Sequence, residues 1–231
     1  MPNAIDIQHV QRTYGSGSQQ VHALKDVSLQ IAAGQLVALK GRSGSGKTTL
    51  LNCIGGLDKP TSGIIIAGDK NVTAMSERRL TKWRKTDVSF IFQAHGLLPS
   101  LSAYENVELM LRISGVSWRE RKRRALESLE QVGLAELVNH RPYELSGGQA
   151  QRVAIARALA IRPKLILADE ATGELDTATS ETILTLFRTV AKQDGTTILL
   201  ATHDDIVEDY AQRTVHLKDG QIATQLSSHA A

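Results

Sequence analysis

Three short stretches of this chain combine residue types at spacings suited to phosphate chemistry. Gly41-Arg42-Ser43-Gly44-Ser45-Gly46-Lys47-Thr48 fills every required position of G-x-x-x-x-G-K-[ST]. The glycines let successive N–H groups wrap phosphate oxygens, Lys47 reaches the terminal phosphates, and the Thr48 hydroxyl faces Mg²⁺. The apolar run Leu165-Ile166-Leu167-Ala168 ends in two acids, Asp169 and Glu170. Asp169 can join Thr48 on the cation. Glu170, one residue on, points elsewhere and suits a general base on water, a role worth about 10²–10⁴ in rate. The third stretch is Leu145-Ser146-Gly147-Gly148-Gln149. Ser146 is a good helix cap, and two glycines leave the following backbone uncovered. Such a helix start is either an ordinary serine cap or a second anion site built from free N–H groups.

Each stretch needs an element to aim it. Leu36 to Leu39 reads as a buried strand before the glycine loop. Thr49, Leu50, Leu51, Cys53 and Ile54 read as the helix after it. Val153, Ala154, Ile155, Ala158 and Leu159 carry the periodicity of a helix running on from Ser146. Ile5 to Ala33 alternates in short segments, which predicts an antiparallel β edge. Leu36 to about Gln93 and Lys164 to Lys218 alternate strand with helix, as a parallel-sheet α/β core does. Ser100 to about Arg141 is strand-poor and reads as an inserted helical subdomain. The expected division is one domain, with a core at 1–93 and 164–225, a helical part at about 94–163 and a short tail at 226–231.

Composition bounds the partners. A 231-residue chain with 42% hydrophobic residues can bury one sizeable core. No apolar run approaches the ~20 residues that span a bilayer. Met1-Pro2-Asn3-Ala4-Ile5-Asp6 lacks the pattern of a secretory leader, so a cytoplasmic chain is expected. The single cysteine, Cys53, excludes an internal disulfide and is most simply packing. Net charge is +3, and the visible basic cluster is Arg119 to Arg124. It falls on a helix, Trp118 to Val132, whose apolar side carries Ala125, Leu126, Leu129 and Val132. With no aromatic residues interleaved, a solvated face is expected there rather than a nucleic-acid platform.

Taken in order, these motifs resemble the nucleotide-binding subunits of ATP-binding-cassette (ABC) transporters, from about Ile5 to about Gln225. Gly56 to Gly63, Gly96-Leu97-Leu98-Pro99 and Glu105 to Leu109 are similar to the lipoprotein-release and macrolide-efflux subfamily. The resemblance implies a P-loop ATPase fold with a mostly parallel sheet, and ATP and Mg²⁺ as ligands. It implies that Tyr14 stacks on adenine and that Thr49 adds to the nucleotide site. Gln93 would contact Mg²⁺ or the attacking water. His203, after the run Thr197 to Thr202, would donate to the γ-phosphate and hold Glu170 and the water in register. Ser146, Gly147, Gly148 and Gln149 would grip the ATP of a second copy, and Asp176 would cross that homodimer interface. The segment Gln93 to Leu111 would receive a helix of a separate membrane permease. Leu97, Leu98, Tyr104 and Met110 are too many apolar residues there for all to be core. Two departures stand out: Ala171 where the family usually has proline, and Glu174 where Asn, Ser or Ala is commoner. The first is expected to loosen the turn after Glu170, the second to add a carboxylate near the dimer contact. Two function classes follow: the motor of a membrane complex attached to the cytoplasmic face through its permease, or a soluble ABC-type ATPase such as those of iron–sulfur assembly.

Overall fold

The computed structural model describes residues 3–227; 1, 2 and 228–231, including most of the expected tail, lie outside it. The chain runs β1 (Asn3–Tyr14), β2 (Val21–Ala32), β3 (Leu36–Lys40), α1 (Lys47–Ile54), β4 (Ser62–Ala67), β5 (Lys70–Asn71), α2 (Glu77–Thr86) and β6 (Val88–Ile91). It continues as α3 (Ala103–Ile113), α4 (Trp118–Gln131), α5 (Gly147–Ala160), β7 (Leu165–Asp169), α6 (Thr177–Asp194), β8 (Thr197–Thr202), β9 (Arg213–Lys218) and β10 (Gln221–Ser227).

A six-stranded sheet has the order β10-β9-β3-β8-β7-β6, parallel except at the β9–β10 hairpin. Strict alternation of apolar side chains feeds two cores. Leu36, Ala38, Ile166, Ala168, Ile198 and Leu200 face one core, which α3 to α6 complete. Val37, Leu39, Leu165, Leu167, Leu199 and Ala201 face the other, which α1 and the second sheet complete. Burial on both faces is why these strands read as continuous apolar runs.

The second sheet is antiparallel, with the order β2-β1-β4-β5. Here the sequence reading needs correction. Residues between Leu36 and Gln93 were expected to belong to the parallel core, yet Ser62 to Ala67 pairs with β1 and Lys70-Asn71 pairs with β4. Ile64-Ile65-Ile66 looks like a parallel-core strand, but Ile65 is fully buried and Ile64 is 42% exposed, the alternation of a sheet with one wet face. The α4 reading also needs one change. Ala125, Leu129 and Val132 are buried, but Leu126 is exposed, because it lies a quarter-turn off the stripe that meets α3 and α5. The basic cluster is a solvated face. Arg123 pairs with Glu120 and Glu127, Arg124 with Glu120, and Arg121 with Glu108 of α3. No described helix is long and apolar enough to cross a membrane.

Candidate functional site

The strand ends that launch the phosphate loop, the two acids and His203 open onto one cleft of about 780 Å³. Its wall holds residues 42 to 49 of the loop, Gln93, Asp169, Glu170 and His203.

The loop is shaped by close approach. Gly46 caps α1 in the left-handed region, and a Cβ there would stand 2.5 Å from the Ala23 carbonyl. Gly41 lies behind the wall, where a Cβ would meet the Leu217 carbonyl at 2.3 Å. Lys47 is buried, and its ammonium donates to the carbonyls of Gly41 (2.8 Å) and Arg42 (3.3 Å). These are contacts that a phosphate oxygen can replace with a stronger, charge-assisted one. Thr48 Oγ1 donates to Asp169 Oδ2 at 2.6 Å, bringing a hydroxyl and a carboxylate from distant parts of the chain together. Oxygen donors in small number suit Mg²⁺, which takes one or two protein ligands and completes its shell with phosphate and water. Gln93 shares the same wall.

Glu170 shares the cleft wall with Asp169 but has different side-chain partners. Its backbone sits at φ 53°, a left-handed conformation costly for a non-glycine residue. Its N–H donates to Ala201 O (2.9 Å) and its carbonyl accepts from Gly173 N (3.1 Å), which fixes the turn. His203 Nδ1 lies 3.0 Å from Glu170 Oε1. Ala171 is fully buried, and its carbonyl accepts from Gln151 Nε2 of α5 at 3.0 Å. The turn where proline was expected is thus held by α5.

Other sequence candidates stand apart from this wall. Tyr14 is outside the lining; its hydroxyl donates to Asp58 and the Arg12 guanidinium lies 4.2 Å over its ring. Desolvation, reinforced by Asp58, holds the Tyr14 phenol above its ordinary range. Ser146 to Gln149 and Asp176 are also outside it. Ser146 caps α5, accepting from Gln149 N at 3.2 Å while Gln149 Oε1 accepts from Ser146 N at 2.8 Å. Asp176 Oδ1 accepts from Thr179 N at 3.0 Å and caps α6. The sequence reading missed one wall: Val21, His22, Ala23 and Lys25 of β2, with Asp219 and Gly220. No motif marks them. They reach the cleft because Lys25 N pairs with Gly220 O at 2.8 Å across the two sheets.

Comparison with known proteins shows the family. The family model described as "ABC transporter" matches residues 24–173. An uncharacterized ABC transporter ATP-binding protein of Methanocaldococcus jannaschii, MJ0796, is 46% identical over 222 residues, covering 94% of each chain. The lipoprotein-releasing system ATP-binding protein LolD of Geobacter metallireducens is 43% identical, covering 96% of this chain and 99% of its own. The macrolide export ATP-binding/permease protein MacB of Hyphomonas neptunium is 45% identical over 96% of this chain, which spans 34% of that longer protein. The dimeric post-hydrolysis structure of MJ0796 bound to ADP and Pi superposes with a TM-score of 0.93, at 42% identity over 98% of this chain and 100% of that one. The chain belongs to the ATP-binding proteins of ABC transporters, among relatives of the lipoprotein-release and macrolide-export type.

Proposed function

We propose that this chain is the ATP-hydrolysing motor of a membrane complex whose permease is a separate polypeptide. The observation that carries the reading is a division within the chain. Lys47, Thr48, Asp169, Glu170 and His203 share one cleft, while Ser146 to Gln149 lie outside it. A second copy placed head to tail supplies the missing side, so that each of two ATP molecules lies between Lys47 of one protomer and Ser146 of its partner.

Within that site the loop N–H groups and Lys47 hold the phosphates. Thr48, Asp169 and Gln93 are the residues to hold Mg²⁺, which screens the phosphate charge when bound. Glu170 accepts the proton of the attacking water, and His203, hydrogen-bonded to Glu170, keeps that carboxylate aimed and contacts the γ-phosphate. Tyr14 stacks on adenine from the rim, and Thr49 borders the α-phosphate side. Asp176 reaches across the interface beyond its capping role. Hydrolysis removes the bridging phosphate and opens the dimer, a ligand-switched pair of states that can drive a membrane partner.

The permease docks beside Gln93 to Leu111. Support comes from Leu98, 46% exposed, and Phe92, 40% exposed, on the loop that follows β6. Leu97, Tyr104 and Met110 are half-buried against the helical core. Such an apolar surface beside a nucleotide-contacting loop fits a short amphipathic helix. The complex therefore holds the chain on the cytoplasmic face of the membrane. The iron–sulfur alternative is not favoured, since the relatives carry transport and lipoprotein-release names. Replacing Glu170→Gln tests the reading. The variant should bind MgATP and accumulate as an ATP-dependent dimer while turnover falls by at least ~10²-fold. Turnover within a few-fold of the parent would show that another group activates the water.

A further inference from the structure

Glu174 belongs to the turn between Glu170 and Asp176, yet it does not line the nucleotide cleft. Its carboxylate lies between the His95 ring and the start of α5. His95 Nε2 lies 3.2 Å from Glu174 Oε2. A Cβ at Gly147 would stand 2.5 Å from that same oxygen. The carboxylate therefore overhangs the first residue of α5, where unpaired N–H groups and the positive end of the helix dipole favour an anion. The Glu174 carbonyl packs close behind, 3.1 Å from a Cβ at Gly148. His95 is itself tied to α5: Arg157 donates to the carbonyls of His95 (2.6 Å) and Gly96 (2.5 Å). Two residues before His95 stands Gln93, on the wall of the cleft.

We infer that Glu174 is a positioning residue for ATP-driven dimerisation, an internal anion that competes with the partner's ATP for the α5 N-terminus while His95 governs where its carboxylate rests. The inference rests on the head-to-tail reading above. A bound γ-phosphate and the Glu174 carboxylate repel each other at that helix end, so the carboxylate must withdraw as the dimer closes. His95 offers it a polar partner on the side of Gln93. Nucleotide in a protomer's own cleft thereby influences how readily that protomer's α5 accepts the partner's nucleotide.

The test uses the Glu170→Gln chain, titrated with MgATP and followed by sedimentation for dimer content. Monomer affinity for a fluorescent ATP analogue is measured in parallel. Adding Glu174→Gln should lower the MgATP concentration at half-dimerisation by about fivefold, the effect of one charge at a helix end. Glu174→Ser should do the same, which separates charge from shape. His95→Gln should raise the midpoint by a similar factor, because the freed carboxylate then stays over α5. The double variant Glu174→Gln/His95→Gln should match Glu174→Gln alone. Monomer affinity should stay within about twofold throughout, since one charge at a distant helix end contributes little there. An unchanged midpoint in both Glu174 variants, or additive effects in the double variant, overturns the inference. Failure of the Glu170→Gln parent to dimerise with MgATP overturns the head-to-tail reading and the inference with it.

Discussion

At the residue scale, the proposed chemistry rests on side chains whose contacts within the chain resemble those they would make to a ligand. Lys47 donates to two loop carbonyls, and Thr48 to Asp169. Replacing Lys47→Ala removes a buried cation whose hydrogen-bond partners among the described residues are two neutral carbonyls, so the fold should persist while tight ATP binding is lost. Nucleotide affinity within a few-fold of the parent would sink the phosphate-loop assignment. Cys53 behaves oppositely. It is buried beside α1's apolar neighbours, and desolvation pushes its thiol up to about 12. The thiolate, the reactive form, is absent near neutral pH. Alkylation of the folded chain by iodoacetamide should be slow and should accelerate on unfolding. Fast modification of the native chain would show that α1 opens readily.

At the element scale, the fold positions the site through a few close contacts. α1 fits between the two sheets because Gly55, directly after it, lets Phe90 approach; a Cβ there would stand 2.0 Å from Phe90 Cζ and 2.9 Å from Leu167 Cδ1. Gly55→Ala should cost about 1–3 kcal/mol through overpacking, read as a lowered Tm. An unchanged Tm would mean that β6 can shift without cost. Lys40, the last residue of β3, is buried and pairs with Asp205 and with Glu208 in the turn after His203. It ties the strand that launches the phosphate loop to the segment that follows His203. Lys40→Met should cost about 2 kcal/mol, the scale of a hydrogen bond to a charged group. It should lower turnover more than ATP affinity, because His203 is then less well held. Equal losses in both would place its role in the phosphate loop alone.

At the scale of the whole molecule, the proposed head-to-tail arrangement has a second copy complete the cleft, and the loop after β6 leaves Phe92 and Leu98 exposed. Gly147→Asp puts a second carboxylate against Glu174 and against the α5 helix end. That chain should bind ATP through Lys47 but neither dimerise nor hydrolyse. Mixing it with Lys47→Ala chains should restore part of the activity, since one composite site is then intact. No recovery, with both chains folded, counts against the head-to-tail arrangement. Leu98→Asp alters an exposed side chain and should abolish co-purification with the proposed membrane permease while sparing basal turnover. Loss of the fold instead would make Leu98 structural.

The sequence by itself determined the chemistry. The glycine loop, the acid pair after an apolar strand and the serine-capped helix are local patterns, set by backbone conformation and by which groups can donate or accept. The parallel strands were legible because burial on both faces leaves continuous apolar runs. Only the tertiary structure decided that Ser62 to Ala67 joins β1, because Ile64 to Ile66 gives the same run in either sheet and pairing is non-local. It alone brought β2 and Asp219-Gly220 to the cleft, since a backbone hydrogen bond there joins Lys25 to Gly220, almost two hundred residues apart. It alone placed His95 against Glu174 and both against α5. Each of these three depends on how two sheets and a helical layer are stacked, and stacking leaves no periodic mark on the chain.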